Sequence, residues 1–262
     1  MLEINKLLKP NTIEEALRLL KDNRKAYILG GGAFLRLSSD LKINAAIDLY
    51  GLGIDQIKEN ENEFIIGAMT TLRDLEVHKE LNPLFSKSVE NIVGVQLRNI
   101  ATIGGTIFPK YAFSDLITSL LVLDTQLIFE GKDNLSLEAY LLEDKSEQCI
   151  LKSIVIKKEK TITSFKAIKN SASDYAILNA AVGVCDGKYK VSVGARPSVS
   201  SLAYKTMAYL DSHELTEATI EVASDMAMNE LTFGNNRLGS EAYRKDMCKV
   251  VVKRALMEVM SC

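Results

Sequence analysis

The chain has 262 residues, of which 47% are hydrophobic and 25% charged, enough to bury a sizeable core as one large domain or two modest ones. Its 34 acidic and 32 basic side chains leave a net charge of -2, which argues against a general affinity for nucleic acid or an anionic membrane and points to small-molecule and protein partners. The opening residues Met1-Leu2-Glu3-Ile4-Asn5-Lys6 lack the apolar core of a signal peptide, and no stretch approaches the roughly 18 apolar residues of a membrane span, so a cytoplasmic location is expected.

Thr12-Ile13-Glu14-Glu15 reads as a capping box opening a helix to about Lys21, with Ala16, Leu17, Leu19 and Leu20 on its apolar face. A strand over Ala26 to Leu29 runs into Gly30-Gly31-Gly32. Short strands are predicted at Ala45 to Leu49 and Phe64 to Ile66, and helices near Leu72 to Lys79 and Ser86 to Val93. Ser114 caps a helix through Leu116, Ile117, Leu120, Leu121 and Leu123, and Gln126 to Phe129 returns as a strand. Strands follow at Ile150 to Ile156 and Ile162 to Ile168. Asp186-Gly187, between the apolar runs Tyr175 to Cys185 and Tyr189 to Val193, signals a tight hairpin. The tail reads as helices at Ser201 to Leu210, Thr216 to Asn229 and Glu241 to Met260. The shift in pattern near Lys157 to Thr161 suggests a domain boundary, although the charged run there also suits a solvated strand end.

Cys149, Cys185, Cys248 and Cys262 have no CxxC spacing, and His78 and His213 have no partner at metal-ligand spacing. No metal site and no catalytic side chain is expected, so redox chemistry would fall to a bound cofactor. The features that suit one are two glycine segments in the same predicted domain: Gly30-Gly31-Gly32, and Thr102-Ile103-Gly104-Gly105-Thr106 followed by Ser114-Asp115. Turns rich in glycine expose backbone N–H groups to anions, and two such turns can grip one diphosphate. Neither is a P-loop, because no Gly-Lys-Ser/Thr follows, and Leu35 stands where a dinucleotide fingerprint needs its third glycine. Each segment taken alone also reads as a structural turn.

The run Val95-Gln96-Leu97-Arg98-Asn99-Ile100-Ala101-Thr102-Ile103-Gly104-Gly105-Thr106, with Ser114-Asp115-Leu116 and Leu121-x-Leu123-Asp124, resembles the FAD-binding medium subunit of the molybdenum hydroxylases, the xanthine dehydrogenase and carbon monoxide dehydrogenase family. The likeness extends over nearly the whole chain through Pro10 to Ala16, Ile66-Gly67-Ala68, Phe165-Lys166, Asp174-Tyr175-Ala176, Val193-Gly194-Ala195, Tyr243-Arg244 and Val252 to Leu256. It implies an α+β fold: a vanillyl-alcohol-oxidase-like (PCMH-type) FAD-binding domain over 1–160, with subdomains of about 1–53 and 54–160, then a small C-terminal domain over 161–262 with antiparallel sheet and helices.

By position, the resemblance implies that Leu29, Gly30, Gly31, Gly32, Ala33 and Phe34, together with Thr102, Ile103, Gly104, Gly105 and Thr106, supply backbone donors to the FAD pyrophosphate. Asp115 would bond toward the ribityl and phosphate region, and Leu151 and Lys166 are further FAD-contacting positions. The implied role is an electron relay from the [2Fe-2S] clusters of a small partner subunit through FAD to NAD or another acceptor, in a heterotrimer, possibly doubled, with a molybdopterin-containing large subunit. The chain departs from the family at Ala33, at Thr106 in place of a usual Asn, and at Ile92 in place of a flavin-stacking Phe. Two alternatives stay open at this point: a stand-alone flavin-dependent oxidoreductase of the same fold, and a structural subunit whose flavin site has decayed.

Overall fold

The computed structural model describes residues 3–23, 25–35, 42–144 and 147–262. The chain forms two compact units, the first from Met1–Leu75, Gly94–Pro109 and Gln126–Lys157, the second from Glu76–Val93, Lys110–Thr125 and Lys158–Cys262. No helix among the described residues is long and apolar enough to cross a membrane.

In the first unit the helix Ile13–Asp22 starts where predicted. Thr12 accepts the Glu15 N–H, and the Glu15 carboxylate reaches back one residue further than a standard capping box, to the Asn11 N–H at 2.8 Å. Its face of Ala16, Leu17 and Leu20 packs with Ile47, Leu49, Met69 and Ile150. This helix accompanies a small parallel sheet ordered Leu7–Leu8, Ala46–Asp48, Tyr27–Leu29. The strand Tyr27–Leu29 delivers the chain directly into the first glycine segment. A separate antiparallel sheet runs Ile57–Glu59, Glu63–Gly67, Ile150–Lys157, Gln126–Glu130, Leu135–Ser136. Ile66, Ile154 and Leu127 lie at its centre with no exposed surface, and the ladder slips between Leu151 and Ser153.

The second glycine segment is a short helix, Ile103–Ile107, rather than an open loop. Thr102 caps it, accepting the Gly105 N–H, and this overrides the low helix propensity of its two glycines.

The second unit is built on an antiparallel sheet ordered Ile162–Lys169, Ala176–Cys185, Lys188–Gly194, Ser201–Leu202. Asp186 and Gly187 both take positive φ, 47° and 73°, as a primed hairpin turn demands. Alternate residues of Ala176–Cys185 face two different helical layers. Leu178, Ala180 and Val182 join Val252, Leu256 and other residues of the helices Tyr204–Asp211, Glu217–Glu230 and Glu241–Met260 in one core. On the opposite face Asn179 bonds Thr118 of the helix Asp115–Leu121, and Gly183 lies so close to Val122 that an added Cβ would sit 3.0 Å from its carbonyl oxygen. Burial on both faces accounts for the unbroken apolar run read in the sequence. Each fully buried Leu or Val contributes roughly 1.5–3 kcal/mol.

One predicted helix starts later than expected. Ser201 and Leu202 pair with Val193 and Ser192 as an edge strand, and the helix begins at Tyr204.

Candidate functional site

The two glycine segments meet inside the first unit. Thr102 Oγ1 donates to Gly30 O at 3.0 Å while accepting the Gly105 N–H at 3.1 Å, so one hydroxyl ties both segments together. The glycines are what allow this approach. A Cβ on Gly31 would overlap Ile100 O, one on Gly104 would lie 2.7 Å from Ala68 O, and one on Gly105 would lie 3.1 Å from Gly30 O. Gly31 and Gly32 also take φ of 76° and 70°, a region that L side chains rarely adopt.

A cavity of about 90 Å³ opens beside this junction. Gly30, Thr102, Gly104 and Gly105 line it together with apolar side chains that include Ile28, Met69, Phe108 and Leu151. The Tyr140 hydroxyl donates to Phe108 O at 2.8 Å, anchoring the end of the short helix, and burial pushes the Tyr140 phenol up out of any working range. Leu151 is itself buried on the strand Ile150–Lys157.

No described group accepts a hydrogen bond from the N–H of Gly30, Gly31, Gly32 or Ala33. A diphosphate-bearing cofactor needs donors that are not already used and a wall without side chains. The Gly30–Ala33 turn offers both, next to an apolar cavity, so the residues present fit FAD.

Asp115 and Lys166 belong to the second unit. Asp115 is the first residue of the helix Asp115–Leu121, where a carboxylate complements the helix dipole. It is buried, with Oδ2 2.7 Å from Lys169 Nζ and Oδ1 accepting the Asn179 Nδ2–H at 2.5 Å. Burial pushes its carboxyl up, against the opposing pull of Lys169 and Asn179. The bonding continues inward: Asn179 Oδ1 accepts from Thr118 Oγ1 at 2.8 Å, and Thr118 lies 2.7 Å from Ser200 Oγ. Gly194 leaves room for this network, since a Cβ there would overlap Thr118 and Ser200.

Lys166 is half-buried and pairs with Glu258 Oε2 at 2.7 Å. Lys87 Nζ reaches Glu258 Oε1 at 3.0 Å and Ser164 Oγ also donates to this carboxylate. Lys166, then Ser164 and Lys87, hold the Glu258 carboxyl down at about 2.

Sequence reasoning missed Lys169, Asn179 and Glu258. Asn179 had a readable signal, an amide side chain in the middle of an apolar strand, which a buried position tolerates only with partners. Lys169 and Glu258 had none, because charged residues at strand and helix ends are ordinarily solvated.

Residues 163–259 match the family described as CO dehydrogenase flavoprotein C-terminal domain. Among curated proteins, the chain is 28% identical over 255 residues to the uncharacterized protein YgfM of Escherichia coli strain K12, covering 95% of this chain and 94% of that one. It is 22% identical over 272 residues to the glyceraldehyde dehydrogenase medium chain of Sulfolobus acidocaldarius, covering 96% and 97%. Among solved structures, carbon monoxide dehydrogenase from Hydrogenophaga pseudoflava superposes with a TM-score of 0.91 at 22% identity over 98% of this chain and 97% of that one, a likeness of fold. Residues 2–159, more than half of the chain, match the FAD binding domain in molybdopterin dehydrogenase, and the chain belongs to this family of FAD-binding molybdenum hydroxylase subunits.

Proposed function

We propose that this chain is the electron-relay subunit of a molybdenum hydroxylase complex, assembled with a molybdopterin-containing large subunit and a [2Fe-2S] small subunit. When bound, FAD supplies the redox chemistry, taking electrons from the iron-sulfur clusters of the partner and passing them to NAD or another acceptor. The protein supplies binding and orientation. Leu29 to Phe34 hold the pyrophosphate, Thr102 to Thr106 brace that segment from the other side of the Thr102–Gly30 hydrogen bond, Leu151 contributes an apolar wall, and Asp115 and Lys166 make further contacts to the cofactor. The cofactor domain is taken as 1–160 and the C-terminal domain as 161–262, a division supported by the family matches over 2–159 and 163–259.

The observation that carries this reading is the turn at Gly30–Ala33, whose amides have no acceptor among the described residues, beside an apolar cavity in a chain of the FAD-binding family. Neutral N–H donors hold a diphosphate without burying an opposite charge.

The test begins with the visible spectrum of the purified chain and identification of the cofactor released on heating. Stoichiometric FAD is expected. Reconstitution with the partner subunits then tests the relay: removal of the flavin is expected to abolish NAD reduction while leaving substrate-driven reduction of the iron-sulfur clusters intact. Acceptor reduction that survives flavin removal would sink the relay. Turnover of an organic substrate by the isolated chain would favour a stand-alone enzyme instead.

A further inference from the structure

The two glycine segments differ in a way their sequences do not show. In the second, every N–H from Ile103 to Thr106 is already used: Ile103 donates to Thr70 O at 2.9 Å, Gly104 to Ala68 O at 2.8 Å, Gly105 to Thr102 Oγ1 at 3.1 Å and Thr106 to Thr102 O at 3.1 Å. In the first, the N–H groups of Gly30, Gly31, Gly32 and Ala33 have no acceptor among the described residues. The glycines of the second segment are also accounted for without a ligand, since Gly104 packs on Ala68 O and Gly105 on Gly30 O.

We infer a division of labour, resting on the reading that the chain binds FAD: the first segment alone donates main-chain N–H groups to the diphosphate, and Thr102 is a positioning residue that aims them. The peptide bond explains how. Gly30 C=O and Gly31 N–H share one trans peptide plane and point in opposite directions. The Thr102 hydroxyl fixes the Gly30 carbonyl toward the second segment at 3.0 Å, which turns the Gly31 N–H away from it. A hydroxyl has one proton to give and lone pairs to accept with, so Thr102 serves Gly30 O and the Gly105 N–H at the same time. The left-handed φ of Gly31 and its close approach to Ile100 O hold the same plane from the other side.

Amide hydrogen exchange of the full chain, read by NMR with and without FAD, separates the two roles. Without FAD, the amides of Gly104, Gly105 and Thr106 are expected to be protected and those of Gly30 to Ala33 to exchange fast. Adding FAD is expected to slow the first group of glycines at least about tenfold and to leave Gly104 to Thr106 unchanged. Thr102→Val, which keeps the shape and loses the hydroxyl, is expected to weaken FAD binding about tenfold, the loss of one good hydrogen bond, and to restore fast exchange at Gly31 in the complex. Thr102→Ser is expected to restore both. Protection that appears at Gly104 to Thr106 only with FAD, or unprotected amides there in the apoprotein, overturns the inference while leaving FAD binding intact. Parent-like affinity and Gly31 protection in Thr102→Val overturn the positioning role. A chain that takes up no flavin shows no flavin bands and no change in either segment, and overturns both the FAD reading and the inference. Should Thr102→Val fail to fold, the exchange pattern of the parent chain decides.

Discussion

Asp115 Oδ2 lies 2.7 Å from Lys169 Nζ, with the two side chains only 4% and 12% exposed. Each is the other's counter-charge in a place where neither has much water, and Asn179 completes the carboxylate's bonding. Breaking a buried pair on one side strands the other charge, which costs about 3–5 kcal/mol. Asp115→Ala and Lys169→Met are each expected to lower stability by about that amount in urea unfolding. The double variant is expected to lose less than the sum, because it strands nothing. Strict additivity would show that the two groups are not coupled.

Glu258 gives the acid limb of the stability profile. Its carboxyl, held down at about 2 against an ordinary 4.5 by Lys166, Ser164 and Lys87, binds a proton more weakly in the folded than in the unfolded chain. The sign follows directly: this contribution is fully present above the unfolded value and is lost as pH falls from about 4.5 toward about 2. Glu258→Gln is therefore expected to be less stable than the parent at pH 7, with the gap closing on acidification through that window. The partial exposure of this carboxylate limits the size of the gap through solvent screening. Asp115 works in the opposite direction, because its raised carboxyl favours the folded chain as pH falls, so only the difference between parent and variant isolates Glu258. A gap that stays constant with pH would remove Glu258 from the account.

What could be read in the sequence was what local chemistry decides. Thr12 starts its helix and Asp186-Gly187 makes its turn because cap and turn preferences act over a few residues. Ser201 and Leu202 went to a strand because Ser192 and Val193 offered a ladder, and no local pattern carries that information. The site divides along the same line. The glycine segments and their shared unit were legible, but their opposite use of backbone donors was not, because the acceptors Ala68 O and Thr70 O come from a distant part of the chain. The Asp115 partners Lys169 and Asn179 were hidden for the same reason.

Arg244 is fully buried and gives its donors to neutral carbonyl oxygens, four of the backbone and one of the Asn236 side chain, rather than to an acid. Nε serves Ile177 O at 2.9 Å and Ala195 O at 3.2 Å, Nη1 serves Gly234 O at 2.8 Å and also Gly239 O, and Nη2 serves Asn236 Oδ1 at 2.5 Å. Burial lowers the guanidinium pKa without bringing it near a neutral state at working pH. Lys at this position keeps a charge but has three donors at a single point instead of a planar fork. Arg244→Lys is expected to cost about 2–4 kcal/mol, since it leaves buried carbonyls unpaired. Limited proteolysis is expected to cut first within 233–240, the segment that Arg244 ties down. Parent-like stability in the lysine variant would mean that charge alone suffices there.

Gly31 and Gly32 share a left-handed backbone but not a neighbourhood, and this sets up the sharpest mutational contrast in the first segment. At Gly32 an added Cβ meets nothing within 4 Å, so Gly32→Ala pays only the backbone strain of about 1–2 kcal/mol. At Gly31 the same methyl overlaps Ile100 O, and the turn must move off the second segment, breaking the alignment that Thr102 imposes on the Gly30–Gly31 peptide. FAD affinity, read by fluorescence titration of the apoprotein, is expected to fall on the order of 100-fold in Gly31→Ala and about fivefold in Gly32→Ala. Both variants are expected to melt within a few degrees of each other, since the turn lies at the surface of its unit rather than in the core. Equal losses of affinity would indicate that the φ requirement alone matters and that contact between the two segments does not shape the cofactor site.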